Sequence, residues 1–237
     1  MHIARVPALS SGPLKVLFVT LFRHLTLLKP KPMTPDYPDL ASMQSALRQC
    51  RRCLDAGHDI RSQPIFSGQA EARVMVIGQA PGESEGPTGR PFNGSAGTRL
   101  FDWLARAGWR DEEAFREAAY ICSVTRCYPG PNAKGRGDRV PSAAERALCR
   151  PWLDMELWFV QPELIIPLGR LAISLFYPAK SKLSEVIGDS SVDAEGRHIL
   201  PLPHPSGASR WLNKPENVGR LELGLHRLKR LKAELSL

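Results

Sequence analysis

The sequence predicts an α/β protein: a three-layer α/β/α sandwich around a short, mostly parallel four-stranded sheet. Three observations carry this reading. The apolar run Val74-Met75-Val76-Ile77 does not alternate with polar residues, as expected of a strand buried on both faces. Further short apolar runs follow, separated by segments of helical periodicity. Between the first run and the next helix lies a long Gly/Pro loop, Gly78-Gln79-Ala80-Pro81-Gly82 on to Gly89-Arg90-Pro91-Phe92-Asn93-Gly94-Ser95-Ala96-Gly97. A strand that empties into such a loop sets backbone N–H groups at the carboxyl edge of a sheet, where α/β proteins bind ligands.

In chain order, a Pro-rich stretch from Lys29 to Pro38 precedes a helix expected over Leu40 to Arg52, ending around Cys50-Arg51-Arg52-Cys53. Val74 to Gly78 is the first strand. A helix from Ser95 to Ala107 follows, with Ala96, Leu100 and Leu104 inward and Gly108 just past its end. Ala119 to Val124 is the second strand, leading into a Pro/Gly/Lys/Arg-rich loop from Cys127 to Val140. Pro141-Ser142-Ala143 opens a helix through Trp158, and Glu163 to Leu168 forms the third strand, turning at Gly169 into a helix through Phe176. His198 to Leu202 is a short fourth strand that delivers His204-Pro205-Ser206-Gly207. A Leu-periodic helix from Glu216 to Leu235 closes the chain. Its Arg220, Arg227, Lys229, Arg230 and Lys232 read as an exposed basic face.

A chain of 237 residues, 43% hydrophobic, suffices for one sizeable core. We expect residues 1–38 to be an N-terminal extension and 39–237 to be the domain. The apolar stretch Leu14 to Phe22 is ended by Arg23 and His24, short of the ~20 residues that a membrane span needs. A net charge of +8 and a pI near 9.5 favour a polyanionic partner. Five cysteines without a secretory signal point to a reducing cytoplasm.

Cys50 and Cys53 form a C-x-x-C pair, with Cys127 and Cys149 downstream, each beside an arginine. Four thiolates suit a tetrahedral zinc or an iron–sulfur cluster, and spacing alone leaves both open. Cys122 sits inside an apolar strand and reads as core.

The Gly78-Gln79-Ala80-Pro81-Gly82-Glu83-Ser84-Glu85 segment, Thr88-Gly89-Arg90-Pro91-Phe92, the four cysteines and the late His204-Pro205-Ser206 together resemble the uracil-DNA glycosylase superfamily, especially its iron–sulfur families 4 and 5. The resemblance runs from about Cys50 to Ser209. It implies a monofunctional glycosylase that flips uracil out of single- or double-stranded DNA, hydrolyses the N-glycosidic bond and releases free uracil. It also implies a structural 4Fe–4S cluster on Cys50, Cys53, Cys127 and Cys149. A monomer working in the cytoplasm beside the nucleoid fits this reading.

The chemistry assigns each demand a residue. The extruded base must be held, its departing anion stabilised and water presented to an oxocarbenium-like sugar. Phe92 offers a face for stacking, as the resemblance implies. His204, rigid before Pro205, can donate to uracil O2, while Gly78, Gln79, Ala80 and Ser123 complete the base site. Gly94, Ser95, Ser206, Gly207, Ser209 and Arg210 are placed to bind DNA phosphates. Trp211 or the residues just before it are candidates for the wedge that fills the vacated stack, since Ala208 stands where many relatives carry Leu.

Departures from the family pattern sharpen the expectations. Ala80 stands where family 1 has a water-orienting Asp, and Gln79 where family 4 typically has Glu. Glu85 is therefore the candidate for orienting water, with Gln79 as a neutral positioning group. Ser123 replaces a base-reading Asn, which predicts a broader range that takes in other deaminated or modified bases. Asp138, within Ala133-Lys134-Gly135-Arg136-Gly137-Asp138-Arg139, stands where some relatives carry a His that traps DNA covalently, so turnover is expected. The alternative from another class is a catalytically silent nucleic-acid-binding protein that keeps the metal site and the basic face. A nucleotide phosphohydrolase is disfavoured because no Gly-Lys-Ser/Thr follows the Gly-rich loop.

Overall fold

A computed structural model describes residues 36–133, 137–207 and 209–237. Most of the expected N-terminal extension therefore lies outside the described residues, as do Lys134, Gly135 and Arg136 of the basic loop and Ala208 of the wedge candidates.

Two helices open the described chain, α1 (Leu40–Arg48) and α2 (Arg52–Asp55). Asp39 caps α1 by accepting the Ser42 N–H at 2.7 Å. The single helix expected here is thus divided, with Cys50 between the two pieces and Cys53 in the second. β1 (Val74–Gly78), α3 (Ser95–Arg106), α4 (Glu112–Ala118) and β2 (Ala119–Ser123) follow. Next come α5 (Ala143–Val160), β3 (Leu164–Pro167), α6 (Gly169–Ile173), α7 (Leu183–Val186), β4 (Ser191–Val192), β5 (His198–Ile199) and α8 (Pro215–Glu234). The α5 start is a capping box: Ser142 Oγ accepts the Glu145 N–H at 3.2 Å and the Glu145 carboxylate accepts the Ser142 N–H at 2.6 Å.

The sheet has five strands rather than the four expected, in the order β2-β1-β3-β5-β4. β1 pairs in parallel with both β2 and β3, β3 pairs in parallel with β5, and β4 adds an antiparallel edge. The strand missing from the sequence reading is Ser191–Val192, two exposed residues with no apolar run to announce them. The helix after β3 is shorter than expected, ending at Ile173.

Successive strand residues point to opposite faces and are covered on both. Val74, Val76, Ile121, Leu164 and Ile166 meet Leu100, Phe101 and Leu104 of α3, Phe115 of α4 and Leu221, Leu225 and Leu228 of α8 in one core. Each such aliphatic side chain contributes about 1.5–3 kcal/mol by leaving water. On the other face the Tyr120 hydroxyl donates to Glu156 Oε1 of α5 at 3.0 Å, and Gln44 of α1 donates to the same hydroxyl at 3.5 Å. Arg126, 1% exposed, sits here too and donates from Nε to Glu156 Oε1 at 3.0 Å and from Nη1 to the Ser123 carbonyl. Helix layers on both faces make the sandwich.

β2 and β3 lie on opposite sides of β1, so the chain reverses its direction of sheet growth there. At such a switch point the loops leaving the carboxyl ends part and leave a crevice. Gly78 and Ser123 end their strands in register, and an isolated parallel bridge between Leu168 and Leu202 carries the β5 side to the same edge.

Candidate functional site

The crevice collects residues from three loops. Gln79, Ala80, Glu85, Phe92, Gly94, Ser95, Ser123, His204 and Ser206, all singled out from the sequence, line one pocket. Gly78 lies beneath it: a Cβ there would stand 2.9 Å from Ser123 Oγ and 3.0 Å from Phe92 Cζ. Glycine is what lets the aromatic ring close over the end of β1. Gly207, Ser209 and Arg210 lie beyond the pocket wall, and Arg210 is exposed without a carboxylate partner among the described residues. The Trp211 side chain packs instead against Ile173, Val186 and Ile187, so it is held in a small core rather than free to enter a base stack.

Phe92 has φ of 55°, a left-handed conformation that costs a non-glycine residue on the order of 1–3 kcal/mol. It is held there from both sides. The Glu85 carboxylate accepts the Phe92 N–H with one oxygen and the Gly82 N–H with the other. Arg116 donates to the Pro91 carbonyl at 2.9 Å and the Phe92 carbonyl at 3.2 Å. Arg116 is itself fixed by Glu112 at 2.8 Å and lies 4.4 Å over the Phe101 ring. The first turn of α3 closes in behind, since a Cβ on Gly97 would meet the Phe92 carbonyl oxygen at 1.8 Å. Gly94 gives α3 no side-chain cap, which leaves first-turn N–H groups facing the pocket.

This geometry alters the expectation for Glu85. Both of its oxygens are engaged by backbone donors, and burial raises its pKa above the ordinary 4.5 against the pull of those same bonds. Its evident work is to shape the loop.

His204 sits where β5 runs out, its Cβ packed against Gly169, whose φ of 76° makes the turn after β3. Its Nδ1 accepts the Ser206 N–H at 3.2 Å, which leaves the ring proton on Nε2 in the neutral form. Burial lowers its pKa below 6.5, so the ring is a neutral donor at neutral pH. Arg99 of α3 donates to the Pro205 carbonyl at 2.9 Å and ties this loop to the helix.

The four cysteines expected to act together do converge: Cys50, Cys53, Cys127 and Cys149 line one cavity with Arg126, Thr125 and Trp152. Trp152 Nε1 donates to Cys50 Sγ at 3.2 Å, and the Arg126 guanidinium faces the Cys149 sulfur. Burial and the neighbouring sulfurs push the Cys53 thiol up to about 11, and the same causes raise Cys127. Thr125 Oγ1 is buried without a hydrogen-bond partner. Among the described residues, no three such side chains are drawn together as for a single metal ion. Cys122 is fully buried in β2, as core.

The sequence model of the Uracil DNA glycosylase superfamily matches residues 65–223, a span that contains the whole pocket. The chain belongs to the uracil-DNA glycosylase superfamily. Similar proteins include a Type-4 uracil-DNA glycosylase from Thermotoga maritima, 34% identical over 160 residues covering 67% of this chain and 77% of the relative. A Type-4 relative from Sulfurisphaera tokodaii is 31% identical, covering 71% of this chain and 75% of its own. A Type-5 uracil-DNA glycosylase from Pyrobaculum aerophilum is 34% identical, covering 78% and 80%.

Arg116 and Arg99 carry no distinguishing signal in the sequence. Their roles depend on which backbone carbonyl or side chain they meet after folding, and an arginine amid acidic residues on a short helix looks like any solvated one.

Proposed function

We propose that the chain is a monofunctional DNA glycosylase that extrudes uracil from DNA and hydrolyses its glycosidic bond, leaving an abasic site. The observation that carries this is the convergence of a clamped aromatic ring, Phe92, with a neutral imidazole donor, His204, in one pocket at the switch point. Phe92 would stack on the flipped base, with Gly78, Gln79, Ala80 and Ser123 against its edge. His204 Nε2–H would donate to O2 as negative charge builds on the leaving uracil. A neutral donor suits this task because its hydrogen bond strengthens as the anion forms. Gly94 and Ser95 at the start of α3, with Ser206, Gly207, Ser209 and Arg210, would take the backbone phosphates. Because the bond breaks largely before water arrives, a site without a carboxylate at Gln79 or Ala80 remains workable. Glu85 contributes by holding Phe92, and Gln79 by positioning.

The same reading includes a 4Fe–4S cluster on Cys50, Cys53, Cys127 and Cys149. The donor set fits: four sulfurs around one cavity, an N–H from Trp152 to Cys50, the Arg126 side chain in the same lining, and the unpartnered Thr125 hydroxyl beside them. Such a cluster would stitch α2, the loop after β2 and α5 into one rigid body.

No helix among the described residues is long and apolar enough to cross a membrane. A monomer acting on cytoplasmic DNA beside the nucleoid fits this function.

The test is incubation with single- and double-stranded oligonucleotides carrying one uracil, followed by alkaline cleavage of abasic sites. Strand scission at the uracil and release of free uracil are expected. DNA binding without scission would replace this reading with the silent binder.

A further inference from the structure

Three carboxylates line the pocket: Glu83, Glu85 and Asp138. Glu85 spends one lone pair of each oxygen on a backbone N–H, which turns its carboxylate into the Gly-rich loop and onto Phe92. Glu83 sits on an exposed turn with no hydrogen bond to fix its direction among the described residues. Asp138 is exposed like Glu83 but is held by its backbone pairing. It comes from the loop after β2, across the crevice from the Gly-rich loop, and its Oδ2 stands against Gly82, 3.1 Å from where a Cβ would be.

That placement is built. Asp138 forms an isolated antiparallel bridge with Pro131, flanked by Asn132 N–H to the Gly137 carbonyl at 2.8 Å and Arg139 N–H to the Gly130 carbonyl at 3.0 Å. Arg139 then pairs with the Glu145 carboxylate at 2.6 and 2.8 Å, which pins the loop to the start of α5. The Tyr128 side chain lies beside the Asp138 carboxylate and interacts with it. The residue lines the pocket with Gln79 and His204.

We propose that Asp138 is the catalytic base that orients and deprotonates the attacking water. This rests on the glycosylase reading above and deepens it. In the step, the C1′–N1 bond breaks and its electron pair leaves with uracil, as an anion met by His204. A water oxygen forms the new C1′–O bond and its proton passes to the Asp138 carboxylate, which later loses it to solvent. The Gln79 amide, in the same pocket, supplies the water's second hydrogen bond.

Burial raises the Asp138 pKa above the ordinary 3.8, with Glu83 adding repulsion and Tyr128 opposing. The titratable groups facing it are Tyr128, Glu83 and Glu85, with His204 in the same pocket. The base form is lost as pH falls, so the rate should fall with it on the acid side.

The test is single-turnover excision by the full chain on a uracil oligonucleotide, for wild type, Asp138→Asn and Glu83→Gln. Binding to the same oligonucleotide carrying non-hydrolysable 2′-fluoro-2′-deoxyuridine is measured in parallel. Asp138→Asn should slow excision about 100-fold or more, bind the analogue within about threefold of wild type and flatten the acid limb of the pH profile. A rate within about threefold of wild type overturns the assignment, as does a loss that appears in Glu83→Gln instead. A wild-type protein that binds but never excises overturns the glycosylase reading itself, which separates the two failures.

Discussion

Phe92 shows how one residue's strain is distributed over its neighbours. Its left-handed backbone survives because Glu85 takes the N–H and Arg116 takes the carbonyl. Replacing Glu85 by Gln puts an amide N–H against one of two backbone N–H groups. We expect a loss of about 1–3 kcal/mol in stability and at least a tenfold fall in kcat/KM, with the shape of the pH profile unchanged. Chemical denaturation and steady-state kinetics check this, and a lost acid limb would instead make Glu85 the base. His204→Ala should slow excision about 100-fold or more. Since burial lowers the ring's pKa, any inflection that this histidine gives the wild-type rate should fall below pH 6.5. Ser123 has a rotatable hydroxyl where a fixed amide would read the base more strictly. A panel of duplexes with deaminated and modified bases should give activity beyond uracil, narrowed by Ser123→Asn; uracil-only activity in wild type would refute it.

At the element scale, the start of α5 does two jobs through Glu145. Its carboxylate completes the capping box and binds Arg139 with both oxygens, and its pKa falls from 4.5 to about 2, chiefly from the Arg139 bond. The folded value is below the unfolded one, so this stabilisation is full above pH 4.5 and drains away toward pH 2. Glu145→Gln should therefore lower stability at pH 7 by roughly 1–3 kcal/mol and make acid unfolding less steep in that window. Thermal melts between about pH 2 and pH 7 decide the matter. The capping box was present in the sequence as Ser142-Ala143-Ala144-Glu145, and the element began where expected. α4 was not seen, because Glu112–Ala118 is too short for helical periodicity and buries only Phe115. β4 was missed because an exposed two-residue edge strand exists only by virtue of its partner, β5.

For the molecule as a whole, the legible parts are those whose signal is local. The unalternating run Val74–Ile77 told of a strand covered on both faces, and the Gly-rich loop told of a ligand edge. The chain order of strands and helices gave the sandwich. What could not be read was which loops meet over the carboxyl edge: Asp138 and Gly82 are far apart in sequence and packed together in the crevice. Two bulk measurements belong at this scale. Purified without oxygen, the protein should be brown with absorbance near about 400 nm, and oxidative loss of the cluster should lower its Tm; a colourless, zinc-loaded protein would contradict the assignment. With a net charge of +8, DNA affinity should fall at least about tenfold between about 50 and 200 mM salt, as a titration in fluorescence anisotropy would show.

The buried pair of Arg126 and Glu156 bears on how such a protein can change over generations. Arg126 meets Glu156, the Ser123 carbonyl and the Cys149 side of the cysteine cavity at once. Losing either partner alone strands a charge at a cost of about 3–5 kcal/mol, a large share of a domain's stability. Drift at either position alone is therefore closed. The lineage is expected to hold this pair while the proposed base-reading surface above it, Gln79 and Ser123 included, explores new specificities on an unmoving foundation.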